Sequence, residues 1–406
     1  MNKPIVMVSS YPPRLCGIAT FCEEAREFIE KANPDRQVYV VSHTDGEGPG
    51  VFPVIDMTRK DWYQAAAEKI LSLDPYVVHI EHEYGLYNYF DQDKVSDNND
   101  GFLKLLDLLK DVPTVIEPHT VHGRLMPKEE KFIKQITKKG TIVFFKCNYQ
   151  KWRLEWIFTS RNWRMPKNIM IIPHGARPDK RFSMEEIEAI KKDLGMPFLQ
   201  GKHIVGLVGW VQNNKRWDIV SNMWEEVHDK IKAVTGEDWY LLAAGDMRDP
   251  YHKKDYDHYI AQIQILAEKN IAHYFKFIPR GDLYYKVMAI CDFIVLPSID
   301  ETQSGTLARI ISLNKPYITS APLEGLTSQT LESGGGLLFT TKEMLKKKML
   351  RLALDEGLRW HFGYHLYNYL RKVVSWEVVA HQYNQAYELA DKAKHEKYKI
   401  DFPNEF

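Results

Sequence analysis

The chain has 406 residues, too many for one ordinary domain, so two domains of usual size are the expected arrangement. Its 54 basic and 54 acidic residues cancel, which removes the global field that would gather nucleic acid or another acidic polymer. With 44% hydrophobic and 27% charged residues the composition is that of a folded globular protein, and no apolar run nears the roughly 20 residues of a membrane span. Met1–Pro4 leads straight into an apolar segment with no secretory leader pattern, so the expected location is the cytoplasm. Cys16, Cys22, Cys147 and Cys291 form no Cys-x-x-Cys pair, and free thiols in a reducing compartment are expected.

Ile5–Ser9 reads as a strand, and the loop Tyr11–Phe21, YPPRLCGIATF, opens a helix at Gly17, where a ligand can approach the backbone. No Gly-x-Gly-x-x-Gly is present, so a dinucleotide fingerprint is not supported. Arg14 is either a phosphate contact or a solvated loop arginine. Gln37–Ser42 reads as a strand, Gly46–Gly50 as a flexible loop, Trp62–Ser72 as a helix and Tyr76–Ile80 as a strand. Glu81, His82, Glu83 and Tyr84 follow. A helix over Phe102–Leu109 and a strand over Thr114–Glu117 lead to Pro118, His119, Thr120, Val121 and His122. Ile142–Lys146 and Met170–Ile172 are further strands. This alternation predicts parallel strands, right-handed crossovers and a ligand crevice at the strand carboxyl ends. His79, His82, Glu83, His119 and His122 fall near those ends. The two His-x-x-His pairs lie on strand-to-loop segments rather than one helical face, so no metal site is expected.

Lys138–Lys167 is locally basic and carries Trp152, Trp156 and Trp163. It could be an amphipathic patch for anionic lipid or a polyanionic acceptor. The expected reading is a helix with tryptophans facing the core and lysines facing water.

Beyond the turn Pro173–Pro178, Ser183 and Glu186 form a capping box. His203–Val208 is a strand, followed by a glycine-led loop, Gly209–Lys215, whose lysine presents a compact charge suited to phosphate. Trp239–Ala243 and Tyr274–Ile278 are strands. Phe293–Leu296 is a continuous apolar run rich in β-branched residues, as a strand buried on both faces requires. After Pro297 and Ser298 the segment Ile299–Ser304 is polar, and Thr306–Leu313 reads as a helix with Ser304 as its N-cap. Gly305 and Thr306 fill its first turn and aim free N–H groups at an anion. Glu301 lies in the same loop, so a phosphate-bearing ligand with hydroxyl groups at its other end suits both. Gly334–Gly336 permits close packing or a plain turn. Trp376–Lys394 reads as a long helix.

The segment Pro297–Pro316, PSIDETQSGTLARIISLNKP, resembles the signature of retaining family 4 glycosyltransferases, which have the GT-B fold. That signature is Pro-Ser, an acid, seven residues, a second acid, then a small-residue helix ending in Gly/Asn-x-Pro. Glu301 stands at the first acid. Arg309 stands where the family has the second, which usually holds the nucleotide ribose. The resemblance implies an α/β chain with two Rossmann-like domains facing each other across a cleft. Residues 1–175, with a C-terminal helix of about 380–406 crossing back, would bind the acceptor, and residues 176–379 the donor.

It further implies a metal-independent transfer with retention, in which Glu301, Lys215 and His119 form the catalytic set. Donor contacts would come from Gly17, Arg14, Gly209, Ile278, Thr302, Gln303, Ser304, Gly305, Thr306 and Arg309. Trp210 replaces the arginine that the family places after Gly209. Acceptor contacts would come from Glu83, Tyr84 and His82. No cofactor is expected, because the nucleotide-sugar is itself a substrate. GDP-mannose is the first guess for the donor, since it is common among similar enzymes, and the acceptor would be a saccharide or another hydroxyl compound. Two other readings stand beside this one. Arg309 favours a retaining phosphorylase that uses a sugar 1-phosphate. The missing acid and arginine favour a non-catalytic subunit that binds sugar or nucleotide.

Overall fold

A computed structural model describes residues 2–88, 99–121, 126–299 and 301–402. The chain divides into two compact units, one of Met1–Gly175 with Trp376–Phe406, the other of Ala176–Ser375.

Among the described residues the first unit is built on seven strands. They are β1 (Ile5–Ser9), β2 (Val38–His43), β3 (Val51–Ile55), β4 (Val77–His82), β5 (Thr114–Pro118), β6 (Ile142–Phe145) and β7 (Ile169–Ile171). Their order is β3-β2-β1-β4-β5-β6-β7, and every neighbouring pair is parallel. The chain winds outward from β1 to β3, then returns to β4 and winds the other way, so the switch point lies between β1 and β4. The inner strands β1, β4 and β5 are buried along their whole length, which explains their near-continuous apolar character. The edge strand β3 contains Pro53 and follows the glycines of Gly46–Gly50, where no strand was expected. An edge position tolerates proline, which has no N–H to give to a ladder.

The helix Trp376–His395 belongs to this unit. Its Trp376, Tyr383 and Tyr387 share a core with Met7, Val115 and Phe144. A Cβ at Gly175 would lie 2.3 Å from ring atoms of Trp376, so only glycine lets the indole seat there. Beneath that helix lies a buried polar network. The Tyr383 hydroxyl is 2.9 Å from both Glu117 carboxylate oxygens, and His79 stands 2.7 Å from Glu117 Oε2 and 2.8 Å from the Tyr387 hydroxyl. Lys146 Nζ donates to Glu117 Oε1, with both side chains fully buried. His79 therefore sits inside the packed layer rather than at a crevice edge. Burial pulls its pKa down to about 3, which keeps the ring neutral.

The helix Asn148–Ser160 departs from expectation. Leu154, Ile157 and Phe158 face inward, and Trp163 packs beside them on the same core. Trp152 and Trp156 point out, 46% and 58% exposed. The aliphatic residues claim the inward face, which leaves two of the three tryptophans to solvent.

The second unit is built on β8 (His203–Val208), β9 (Trp239–Gly245), β10 (Ala272–Lys276), β11 (Phe293–Leu296), β12 (Tyr317–Ser320) and β13 (Gly336–Phe339). Their order is β10-β9-β8-β11-β12-β13, all neighbours parallel, with the switch point between β8 and β11. The glycines before β13 serve close packing. A Cβ at Gly335 would meet Leu366 at 2.2 Å, and one at Gly336 would meet the Tyr317 ring at 2.7 Å. Among the described residues no helix is long and apolar enough to cross a membrane.

Candidate active site

Open parallel sheets bind ligands at the strand carboxyl ends where the winding reverses. In the second unit that point is the β8/β11 boundary, and two loops converge on it. The first runs from Gly209 to Arg216. Gly209 N donates to Ala244 O at 3.0 Å, and a Cβ at Gly245 would stand only 1.9 Å from Gly209 O. The second runs from Pro297 to Ser304. Ile299 N donates to Asn214 O at 2.9 Å, which ties the loops together. Lys215 Nζ then donates to Glu301 Oε1 at 2.6 Å. Glu301 is 11% exposed and Lys215 19%, so the pair is largely withdrawn from water without being sealed.

The second loop also gathers polar atoms that find no partner among the described residues. Ser298 Oγ, Glu301 Oε2 and both Gln303 side-chain amide atoms are buried and unsatisfied. Native proteins seldom leave such groups unpaired, and a cluster of them in one loop points to a polar ligand. A crevice lined by Gly209, Trp210, Lys215, Ser298 and Thr306 lies beside them.

The helix Gly305–Ser312 begins at the end of this loop. Ser304 Oγ accepts from Leu307 N at 3.3 Å and so caps it. The Thr306 hydroxyl is 2.8 Å from that of Tyr284, whose phenol burial pushes up to about 12. Arg309 is buried beneath the first turn. Its Nη1 donates to Gly305 O at 2.9 Å, and its guanidinium carbon lies 5.1 Å from the Tyr284 ring centroid and 5.5 Å from that of Tyr285. A cation thus sits at the helix start, on the side where N–H groups already concentrate positive potential. Thr302 is buried, and its carbonyl accepts from Gly325 N at 3.1 Å. Ile278 is half exposed just beyond buried Phe277, whose N–H donates to Gly245 O at 3.3 Å.

In the first unit the switch point lies between β1 and β4. The helix Gly17–Ala32 starts there, with Cys16 Sγ accepting from Ala19 N at 3.3 Å. Nothing lies within 4 Å of where a Gly17 Cβ would be, so its backbone is open to approach. Arg14 pairs loosely with Asp45 at 3.5 Å. His119 packs edge-on against Phe21 at 4.6 Å, and its Nε2 is 3.7 Å from Glu81 Oε2. Glu81 is fully buried. Its Oε2 accepts from Ser9 Oγ at 2.9 Å, while its Oε1 has no partner among the described residues. Sequence reasoning assigned Glu81 no role; the available signal was that the alternation of β4 puts His79 and Glu81 on one face and His82 on the other. Glu83 Oε1 accepts from Tyr84 N at 3.0 Å and its Oε2 from the Thr120 hydroxyl. The Tyr84 hydroxyl is buried without a partner among the described residues. His122 lies outside the described residues.

His82 is a correction. It is fully buried among Tyr84, Tyr87, Phe102 and Phe132, with Nε2 donating to Asn99 Oδ1 at 2.6 Å, so no acceptor can touch it. Burial pulls its pKa down to about 3, against an ordinary value near 6.5. Below about pH 6.5 the unfolded chain takes up a proton that the folded core refuses. Stability contributed by the neutral ring is therefore lost as pH falls, at about 1.4 kcal/mol per pH unit down to about pH 3. His79 contributes a slope of the same sign, so urea titrations at several pH values are expected to show a steeper slope in the native chain and a decrease of about 1.4 kcal/mol per pH unit in His82→Phe.

Among the described residues no group of three or more His, Cys, Asp or Glu side chains is arranged to hold a metal ion. No protein-family model matches the chain, and no curated protein matches its sequence. Solved structures do. Anabaena Alr3699/HepE, in complex with UDP and glucose, superposes with a TM-score of 0.70 at 12% identity, over 95% of this chain and 99% of its own. Sucrose-phosphate synthase from Thermosynechococcus elongatus gives 0.68 at 14%, over 95% and 98%. A glycosyltransferase from Rickettsia africae gives 0.68 at 14%, over 96% and 99%. The fold is GT-B. At these identities the likeness carries the fold alone. Within its GT-B framework the second unit unites Lys215, Glu301, Ser304, Gly305, Thr306 and Arg309 at one switch point. The first unit holds Gly17, His119 and Glu83 at the carboxyl-end loops of its own sheet and sends His82 into its core.

Proposed function

We propose that the chain is a glycosyltransferase that takes a nucleotide-diphosphate sugar and moves the sugar to a hydroxyl acceptor with retention at the anomeric carbon. The observation that carries this reading is the loop of residues 298–303. There a carboxylate is held by one lysine on Oε1 and leaves Oε2 unsatisfied, beside a helix start backed by a buried arginine. Departure of the leaving phosphate concentrates negative charge on its oxygens and positive charge on the sugar. Lys215, Arg309 and the N–H groups of Gly305 and Thr306 stabilise the first without a metal. Glu301 Oε2 and Gln303 accept and donate to sugar hydroxyls and fix the ring for attack. HepE has been crystallised with UDP and with UDP-glucose, which supports a nucleotide-sugar as the ligand class. GDP-mannose stays the first donor to test, with UDP-glucose second.

Arg309 favours one alternative, a retaining phosphorylase, because an extra cation at the helix start also suits a sugar 1-phosphate. The test is incubation with a panel of nucleotide sugars, and separately of sugar 1-phosphates, in the presence of mixed saccharide acceptors. Release of one nucleoside diphosphate, with the donor's anomeric configuration kept in the product by NMR, is the expected result. Turnover of a sugar 1-phosphate alone would establish the alternative. Binding of a nucleotide-sugar without turnover would mark a non-catalytic subunit.

A further inference from the structure

We propose that His361 and His365 form a chelate for one divalent cation of the late first transition row, such as Ni2+, Cu2+ or Zn2+. Both lie on the helix Glu356–Tyr369, four residues apart, so their side chains share one face. This is the spacing by which a helix presents two imidazoles to one metal, and the His-x-x-His pairs of the first unit lack it. No other two of the 15 histidines stand four apart. The inward side of the helix is taken by Phe362, Leu366 and Tyr369, which are buried, while His361 is exposed and His365 half-buried. Gly363 lets the helix seat closely on its own unit, since a Cβ there would lie 3.2 Å from Asn314 O. The pair therefore faces solvent from a helix that packing holds in place.

The two rings are already neighbours. Their centroids are 4.4 Å apart and their planes meet at 64°. With metal–nitrogen bonds of roughly 2.0–2.1 Å, two ligands bound side by side at a right angle place their nitrogens about 3 Å apart. Rings at this spacing reach that arrangement by small rotations of their side chains. His365 turns Nδ1 toward Gly334, where an added Cβ would stand 3.4 Å from it, and so keeps Nε2 for the metal. Among the described residues no hydrogen bond or ion pair engages either imidazole, whereas His79, His82 and His203 are held by Glu117, Asn99 and Asp292. Imidazole suits Ni2+, Cu2+ and Zn2+, while Mg2+ takes oxygen ligands. The exposed side leaves room for water to complete the coordination shell. Two protein ligands are fewer than the three or four of resident zinc sites, so the metal exchanges with solvent and is not needed for folding. Neither histidine belongs to the candidate active site.

The full chain, without a polyhistidine tag, is to be titrated calorimetrically with Ni2+, Zn2+ and Mg2+. Ni2+ and Zn2+ are expected to bind at a site that His361→Ala and His365→Ala each weaken by about tenfold or more. The double variant should bind no more weakly than either single one, because a lone imidazole makes no chelate. Mg2+ should show no such site. Saturating Ni2+ should raise the melting temperature of the native chain by about 3 °C or more and leave that of the variants in place, as a ligand of the folded state does. Matching melting curves without metal will show that each variant is folded. His361 is exposed, so its replacement tests the site without disturbing the packing of His365 on Gly334. Ni2+ binding of equal strength in the native chain and the double variant would overturn the proposal. So would a loss confined to one of the single variants, since the metal would then rest on one histidine and other ligands.

Discussion

Glu301→Gln is expected to lower kcat/KM for sugar transfer by about a hundredfold to a thousandfold, the usual effect of removing one preorganised electrostatic group. The amide keeps the size of the carboxylate and leaves an oxygen for Lys215, so loop geometry should persist. What it removes is the charge that faces positive character developing on the sugar, together with one acceptor for the sugar hydroxyls. Glu301 accepts from Lys215 through Oε1, and Oε2 is the oxygen without a partner among the described residues. Affinity for the nucleoside diphosphate should therefore change little, because phosphate contacts lie at Lys215 and the helix start. Steady-state kinetics beside calorimetric titration separates the two effects. A variant with full activity would remove Glu301 from the chemistry.

At about pH 6, where Lys146 keeps its proton although burial pulls its pKa down to about 7, Lys146→Met is expected to destabilise the first unit by about 3–5 kcal/mol, as happens when one partner of a buried ion pair is removed. Lys146 and Glu117 are both fully buried, and the substitution leaves the carboxylate buried without its cation. The hydroxyl of Tyr383 and the ring of His79 still address Glu117, but neither brings a permanent charge. Adding Glu117→Gln, which removes the stranded charge and keeps an acceptor for Tyr383, is expected to recover more than half of the loss. Urea unfolding of the single and double variants measures both. Because Tyr383 lies on the helix Trp376–His395, the single variant should also raise amide exchange along that helix.

The inner strands were legible because burial on both faces demands unbroken apolar runs, as in Ile5–Ser9 and Phe293–Leu296. β3 escaped notice because Pro53 and the preceding glycines read as loop, and edge strands relax the very rule that marks inner ones. In the candidate site, the helix start at Ser304 could be derived from local chemistry, since a cap is a matter of neighbouring residues. The contact between Lys215 and Glu301 could not, because 86 residues separate them and only the sheet order brings their loops together. Glu81 was hidden by parity: Glu81 and His82 are adjacent, and which one faces inward among aromatics depends on the position of β4 in the sheet. The helix Asn148–Ser160 misled for a related reason. It is apolar on both sides, and sequence alone does not tell which side a sheet will cover.

The central claim is that the cradle formed by Lys215 and the start of the helix Gly305–Ser312 grips the phosphates of a nucleotide-sugar. Its most direct test is isothermal titration of the native chain and Lys215→Ala with GDP, UDP and ADP. One nucleotide should bind the native chain, and the variant should lose about tenfold or more of that affinity at unchanged melting temperature in the absence of ligand, as expected for one charge-assisted contact. Equal affinity in the two proteins, or no binding of any nucleotide to the native chain, would contradict it.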